Sequence, residues 1–333
     1  MDLLIISGTR PEFLKIWSLF DFLKGQDSID WHWHETGQHP HLMEKIKVEF
    51  GEEPQSVGHV DLSLSWQEKV EVIVSQLNAK AWKPKQVLVQ GDTLSALAGA
   101  KWAHQNSLRI IHLEAGMRSG NFADPYPEEE IRVQIAKWAT YHWAVNEQAK
   151  QNLLHEGIAE ESIEILPNPL QHAFEKFSEG KVLRSPKKVL VDLHRRRLEE
   201  EQSNAEEAVQ IFFENLPKDF EVNWLGHPNQ KNVPPHVHIL PPMNYKEVLH
   251  CLKSCEFVLT DSGGLQLEAL WAGASVGLLR EKTEWPEFQE NGGAILGLNG
   301  QSWLKFLKSS NFKVKERPFL EKPDWKLLWE KAQ

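Results

Sequence analysis

At 333 residues with 41% apolar content, the chain exceeds what one ordinary core needs and suits two domains. Its formal net charge of −10 argues against nucleic acid or an anionic membrane as main partner, so any phosphate site must be a local cationic pocket. No stretch approaches the roughly 18 apolar residues needed to span a bilayer, the chain opens directly on a strand rather than a leader-like segment, and two cysteines point to a reducing compartment. The expectation is a cytoplasmic, globular protein with no nucleic-acid or membrane partner.

The first predicted strand, Leu3–Ser7, runs straight into "GTRPEFLKI". Pro11 suits the start of a helix, and Arg10 and Lys15 place two cations at the mouth of this turn. That arrangement calls for an anionic ligand. The next strand, Trp31–Glu35, reads "WHWHE", so His32 and His34 share one face. The histidines show no zinc-ligand spacing, and no metal is expected. Strand Val87–Gln90 ends in Gly91-Asp92-Thr93, where Asp92 is either a helix cap or a carboxylate exposed at a strand's carboxyl end. A helix follows over 94–105. Strand Ile110–Leu113 is closed by Glu114, a placement that is expensive unless the carboxylate is paired or working.

In "DPYPEEEIR", Pro127 fits the first position of a helix over 127–139, and Glu128, Glu129 and Glu130 occupy its first turn. Glu129 and Glu130 read as solvated residues favouring the helix dipole. Glu128 could pair with Arg132 four residues on, but its loop directly follows the Glu114 strand end. Further elements are strands Tyr141–Val145 and Ile163–Leu166 around a helix over 147–156. The stretch 168–186, with Pro167, Pro169 and Pro186 in and beside it, is the expected hinge.

The second half repeats the alternation. Strand Val189–Leu193 ends on His194, a candidate general acid or base, followed by Arg195, Arg196 and Arg197. Helices are predicted over 204–215, 245–254 and 264–272, and strands over Val222–Leu225, His236–Leu240, Phe257–Thr260 and Ser275–Leu279. Cys251 and Cys255, four apart, are placed on one helix face. In "LTDSGGLQLEAL", Ser262, Gly263 and Gly264 make a turn that lets a diphosphate approach the backbone, and Glu268 lies about one turn into the helix, placed to accept from ribose hydroxyls. Strand–helix alternation throughout predicts an α/β protein: two doubly wound parallel-sheet, Rossmann-like domains facing a cleft. No P-loop and no G-x-G-x-x-G fingerprint occurs, so no nicotinamide cofactor is expected.

These blocks together resemble the non-hydrolysing UDP-N-acetylglucosamine 2-epimerases. The matching stretches are "GTRPEFLKI", "TGQHPHLM", "VQGDTLSALAGA", "HLEAGMRSG", "PYPEEEIR", "NLLHEGI", "LHRRR", "GHPN" and "LTDSGGLQLEAL…LREKTEWPE", in the family's order over roughly residues 3 to 290. The resemblance implies a GT-B architecture with domains at 1–168 and 169–315, and a C-terminal helix in 316–333 packing back on the first domain. It implies a homodimer, a UDP-sugar substrate and interconversion of UDP-GlcNAc and UDP-ManNAc. UDP would leave by anti elimination to 2-acetamidoglucal and re-add with the C2 proton on the other face. Asp92, Glu114, Glu128 and His194 match the family's catalytic residues. Arg10, Lys15, Arg132, Ser262, Gly263, Gly264 and Glu268 match its UDP-sugar contacts, and Gln38 and His39 match part of a regulatory region.

The chain also departs from the family. Ile131 stands where asparagine is usual, Leu267 where a second glutamate is usual, and Trp285 where an arginine is usual. After His194 the usual glycine-bearing turn is replaced by Arg197-Leu198-Glu199, and the second domain is shorter. Alternative readings are a hydrolysing epimerase, an epimerase for another UDP-2-acetamido sugar, a GT-B glycosyltransferase and an inactive nucleotide-sugar-binding homologue.

Overall fold

The computed structural model describes every residue except 121, 123–125, 194–198, 226–236 and 310–322, and for 199–203 it describes the backbone alone. The chain divides into two compact units, Met1–Ala173 with Glu321–Gln333, and Phe174–Leu320.

The first unit is built on a seven-stranded sheet. Its strands are β1 (Leu3–Ser7), β2 (Trp31–Glu35), β3 (Ser56–Val57), β4 (Gln86–Gln90), β5 (Arg109–Ala115), β6 (Tyr141–Ala144) and β7 (Ile163–Ile165), in the order β3-β2-β1-β4-β5-β6-β7. All pairings are parallel, with Leu3 in register with Trp31 on one side and Gln86 on the other. A parallel strand covered on both faces needs apolar residues at successive positions, and β1, Leu-Leu-Ile-Ile-Ser, is buried throughout. The sequence runs outward in both directions from β1 and β4. That reversal is the topological switch point, where doubly wound sheets bind ligands outside the strands' carboxyl ends.

Helices α1 (Arg10–Lys24), α2 (Pro40–Phe50), α3 (Trp66–Asn78), α4 (Leu94–Gln105), α5 (Glu128–Trp138) and α6 (Glu147–His155) connect these strands. Val70, Ile73, Val74 and Leu77 of α3 and Ala96, Ala100 and Ala103 of α4 join Leu4, Ile6, Val87 and Val89 in one core. Each fully buried leucine, valine or isoleucine contributes about 1.5–3 kcal/mol. Gly99 lets α4 lie close to the sheet: a Cβ there would come within 3.0 Å of Val89 and 3.1 Å of Ile6. The chain leaves this unit within α7 (Leu170–Phe177).

The second unit has β8 (Ser185–Asp192), α8 (Glu199–Asn215), β9 (Glu221–Leu225), β10 (His238–Leu240), α9 (Tyr245–Ser254), β11 (Cys255–Thr260), α10 (Leu265–Trp271), β12 (Ser275–Leu278), α11 (Pro286–Glu290), β13 (Ala294–Ile295) and α12 (Gly300–Lys308). Its parallel sheet runs β10-β9-β8-β11-β12-β13. Phe212, Trp224, Trp303 and Phe306 centre its core. The last helix, α13 (Trp325–Lys331), belongs to the first unit, where Trp325 packs on Trp143 at 5.8 Å and its Nε1 donates to Ser18 Oγ at 3.2 Å.

Three sequence readings are corrected. Cys255 does not share a helix face with Cys251, because α9 stops at Ser254 and Cys255 opens β11 as a buried residue. The β-favouring run Phe257-Val258-Leu259-Thr260 carries the strand back over it. Strands β3 and β13 escape prediction because two residues each show no period. Helix α8 starts at Glu199, five residues before the expected 204.

Candidate functional site

Three strand ends of the first unit meet at the switch point. Gly91 follows β4 with φ +68, a backbone that favours glycine, and turns the chain so that Thr93 caps α4 by accepting from Ala96 N at 3.0 Å. Thr93 therefore takes the capping role, and Asp92 is left to pair with Arg132 Nη2 through Oδ2. The neighbouring β5 ends in an irregularity. Its register against β6 shifts between Leu113 and Ala115, and Glu114 adopts the left-handed conformation, φ +65. That conformation costs a non-glycine residue on the order of 1–3 kcal/mol and clusters at functional sites. It re-aims the Glu114 carboxylate, whose Oε2 receives both Lys15 Nζ of α1 and Gln90 Nε2 of β4. Of the cations expected at the first turn and at α5, Lys15 and Arg132 have carboxylate partners at strand ends: Lys15 with Glu114, Arg132 with Asp92.

Two buried carboxylates hold this frame, and neither was singled out from the sequence. Glu12 is fully buried and accepts from Gly8 N at 3.0 Å, Thr9 N at 2.8 Å and Thr93 Oγ1 at 2.7 Å. It completes a capping box with Thr9 and ties the first turn to the Asp92 turn. Burial, working against those donors, pushes its pKa up to about 7. Glu129 corrects the reading of a solvated first-turn residue: it is 2% exposed. It accepts from Ser119 N at 2.9 Å, Gly120 N at 3.1 Å and Arg132 Nη1 at 3.0 Å. Burial opposes its charge, yet Ser119, Arg132 and Gly120 together hold its pKa below the usual range. The buried His112 also supports the frame through Nε2, 2.9 Å from Gly91 O. A carbonyl only accepts, so Nε2 carries the proton. Burial lowers the pKa of His112 to about 3, keeping it neutral.

The remaining expected residues are distributed as follows. Arg10 opens α1, and Glu128 opens α5 half-buried. Gln38 Oε1 accepts from Ser95 N at 2.9 Å and Ser95 Oγ at 2.7 Å, while His39 N donates to Gly8 O at 3.0 Å. These bonds anchor the "TGQH" segment to the turn after β1 and to the start of α4 after β4. His32 and His34 both meet Ser56 Oγ at 2.9 Å, and among the described residues no group of three His, Cys, Asp or Glu side chains could hold a metal. His194 and the "GHPN" block lie outside the described residues.

In the second unit the turn after β11 is held from below. Thr260 Oγ1 donates to Asp192 Oδ2 at 2.8 Å and accepts from Ser262 N at 3.0 Å. Ser262 Oγ accepts from Leu265 N at 3.3 Å, and Gln266 Nε2 donates to Gly263 O at 3.0 Å. A Cβ added at Gly263 or Gly264 would meet no described residue within 4 Å, and Gly264 has an ordinary helical φ of −85. Among the described residues, nothing demands glycine at either position. Glu268, 6% exposed, receives Tyr245 OH at 2.6 Å.

Comparison with known proteins identifies the family. The family profile Epimerase_2, UDP-N-acetylglucosamine 2-epimerase, matches residues 22–303. A curated UDP-N-acetylglucosamine 2-epimerase of Methanocaldococcus jannaschii is 32% identical over 336 residues, covering 92% of this chain and 91% of that protein. One from Campylobacter jejuni is 28% identical over 356 residues, covering 96% and 91%. The crystal structure of the M. jannaschii enzyme in complex with UDP-GlcNAc and UDP superposes with a TM-score of 0.85 at 29% identity, covering 99% of each chain. The two doubly wound sheets are thus of the GT-B class, and the chain belongs to the UDP-N-acetylglucosamine 2-epimerase family.

Proposed function

We propose that this protein interconverts UDP-GlcNAc and UDP-ManNAc without hydrolysing them. The observation that carries the reading is the strand-end cluster of the first unit, where Glu114 and Asp92 each stand against a cation. Inverting C2 requires that its proton leave from one face and return to the other, so carboxylates are needed on both sides of the sugar. In the forward step a carboxylate takes the C2 proton. The C2–H electron pair forms the C1=C2 double bond, and the C1–O bond breaks to release UDP. The 2-acetamidoglucal then adds UDP back at C1 while C2 receives a proton from the opposite face. Asp92, Glu114, Glu128 and His194 are assigned to these transfers, each worth about 10²–10⁴ in rate.

Arg10 and Lys15 are assigned to the departing diphosphate, and Arg132 to the substrate beside Asp92. The Ser262-Gly263-Gly264 turn, where no described residue crowds either glycine, is assigned to diphosphate and Glu268 to ribose. The relatives' names support the substrate, as does the UDP-GlcNAc in the archaeal complex. The acidic composition and sparse cysteines support a cytoplasmic enzyme, and the family resemblance a homodimer.

Proton NMR of UDP-GlcNAc with the purified protein in D₂O tests the reading. Loss of the C2 proton with UDP-ManNAc appearing is the expected result. Free ManNAc with UDP would mean a hydrolysing enzyme instead, and a need for an acceptor with C2 unlabelled would mean a glycosyltransferase. Glu114→Gln should abolish the exchange and leave UDP binding intact.

A further inference from the structure

Glu114 is gripped by one oxygen. Lys15 and Gln90 both donate to Oε2, and Oε1 accepts from no described residue. Of the two donors, Lys15 is a flexible, hydrated point charge on a four-carbon stem. Gln90 is different. It is 2% exposed, ends β4 in register with Leu113, and sits immediately before the Gly91 turn. An amide buried at such a place costs free energy unless its polar atoms are used, and leucine or methionine would fill the same volume. Its side-chain N–H is used on Glu114, whose left-handed backbone already departs from the regular strand.

Resting on the reading that Glu114 moves the C2 proton, we propose that Gln90 is a positioning residue that fixes Oε2 of Glu114 and leaves Oε1 to exchange that proton. The division of labour with Lys15 follows from the chemistry. A diphosphate leaving group competes for Lys15, and when the ammonium turns to it, Glu114 loses that partner at the moment of proton transfer. The buried amide stays. It holds the carboxylate through the step in which the C2–H bond breaks, the C1=C2 bond forms and UDP departs. An error of about 1 Å in such a group can cost on the order of 10²-fold in rate.

The test measures C2 exchange in D₂O, steady-state kinetics, UDP affinity and thermal stability for the wild type, Gln90→Leu and Gln90→Glu. Gln90→Leu should lower exchange by about 30–100-fold with KM and UDP affinity within about twofold. Gln90→Glu puts a second carboxyl against Glu114, and the pair shares one proton at low pH. While it is shared, the introduced O–H can donate to Oε2. Its activity relative to wild type should be highest near pH 6 and fall at least about tenfold by pH 9. A residue that only fills space would leave exchange near wild type in Gln90→Leu, whose side chain fills a similar volume. Exchange within twofold of wild type in Gln90→Leu, loss of UDP affinity in step with rate, or a pH-independent loss in Gln90→Glu overturns the proposal while the epimerase reading stands. A wild type that exchanges nothing at C2 overturns that reading, and the proposal with it.

Discussion

Glu12 makes the stability of the first unit depend on pH in an unusual direction. Its carboxyl is held at a pKa of about 7 against an ordinary 4.5. A raised carboxylate pKa means that the folded chain keeps a proton that the unfolded chain releases. Between those two values the native state binds more protons, so stability falls as pH rises. Below about pH 4.5 both states are protonated and the group contributes nothing. Above about pH 7 the whole cost is present, about 2.5 units at 1.36 kcal/mol each, or roughly 3 kcal/mol. Glu12→Gln removes the ionisation while keeping the geometry: its oxygen can accept from Gly8 N and Thr9 N, and its amide can donate to Thr93 Oγ1, whose other lone pair still caps Ala96. Urea unfolding followed by tryptophan fluorescence at about pH 5 and pH 8 reads the effect. The wild type should lose roughly 2–3 kcal/mol more than the variant across that interval. Equal slopes, within about 0.5 kcal/mol, would refute the claim that burial outweighs the three donors.

Gly263→Ala separates fold from ligand: with no described residue near its added Cβ, melting temperature should hold or rise slightly, while UDP affinity by calorimetry falls at least about tenfold. Unchanged affinity would remove that turn from the diphosphate site. Glu129→Gln should cost roughly 1.5–3 kcal/mol in denaturant unfolding, since it weakens charge-assisted bonds to Arg132, Ser119 and Gly120. A change under about 0.5 kcal/mol would mean that the loop holds itself. Arg10→Ala should weaken UDP binding by about tenfold, or 1.4 kcal/mol, and an unaltered dissociation constant would exclude Arg10 from the phosphate contacts.

Legibility in the sequence followed the range of the interaction. The runs at β1 and β2 are continuous enough to mark both ends, and Asp92 and Glu114 were readable because a carboxylate at the end of a buried strand is itself anomalous. What each carboxylate touches was not readable. Lys15 and Glu114 are 99 residues apart, Gln90 and Glu114 24, and Thr93 and Glu12 81, so no local period links them. Glu129 looked like a helix-dipole residue because the first turn of α5 explains a glutamate locally; its burial comes from the loop at Ser119 and Gly120 folding over it. The left-handed Glu114 gave no signal, since the residue type there is not one that φ > 0 selects.

The departures from the family pattern fall in a telling place. The resemblance implies a polar or charged residue where Ile131, Leu267 and Trp285 stand, and each of the three is buried, at 1%, 2% and 5% exposure. Ile131 belongs to the core under the first sheet. Leu267 lies in α10, and Trp285 precedes α11, where its N–H is satisfied by Thr283 Oγ1 at 3.1 Å. An apolar side chain at a buried position adds transfer free energy, whereas a charge there needs a partner. Each of the three therefore contributes packing and brings no charge that would need a buried partner. The strand-end groups of the first unit show the opposite choice: Asp92, Glu114, Lys15 and Arg132 retain charge at side-chain exposures of 11–28%, and Glu114 also retains a strained backbone. Under the proposed reaction, that costly charge is what proton transfer at C2 draws on in the first unit's carboxylates.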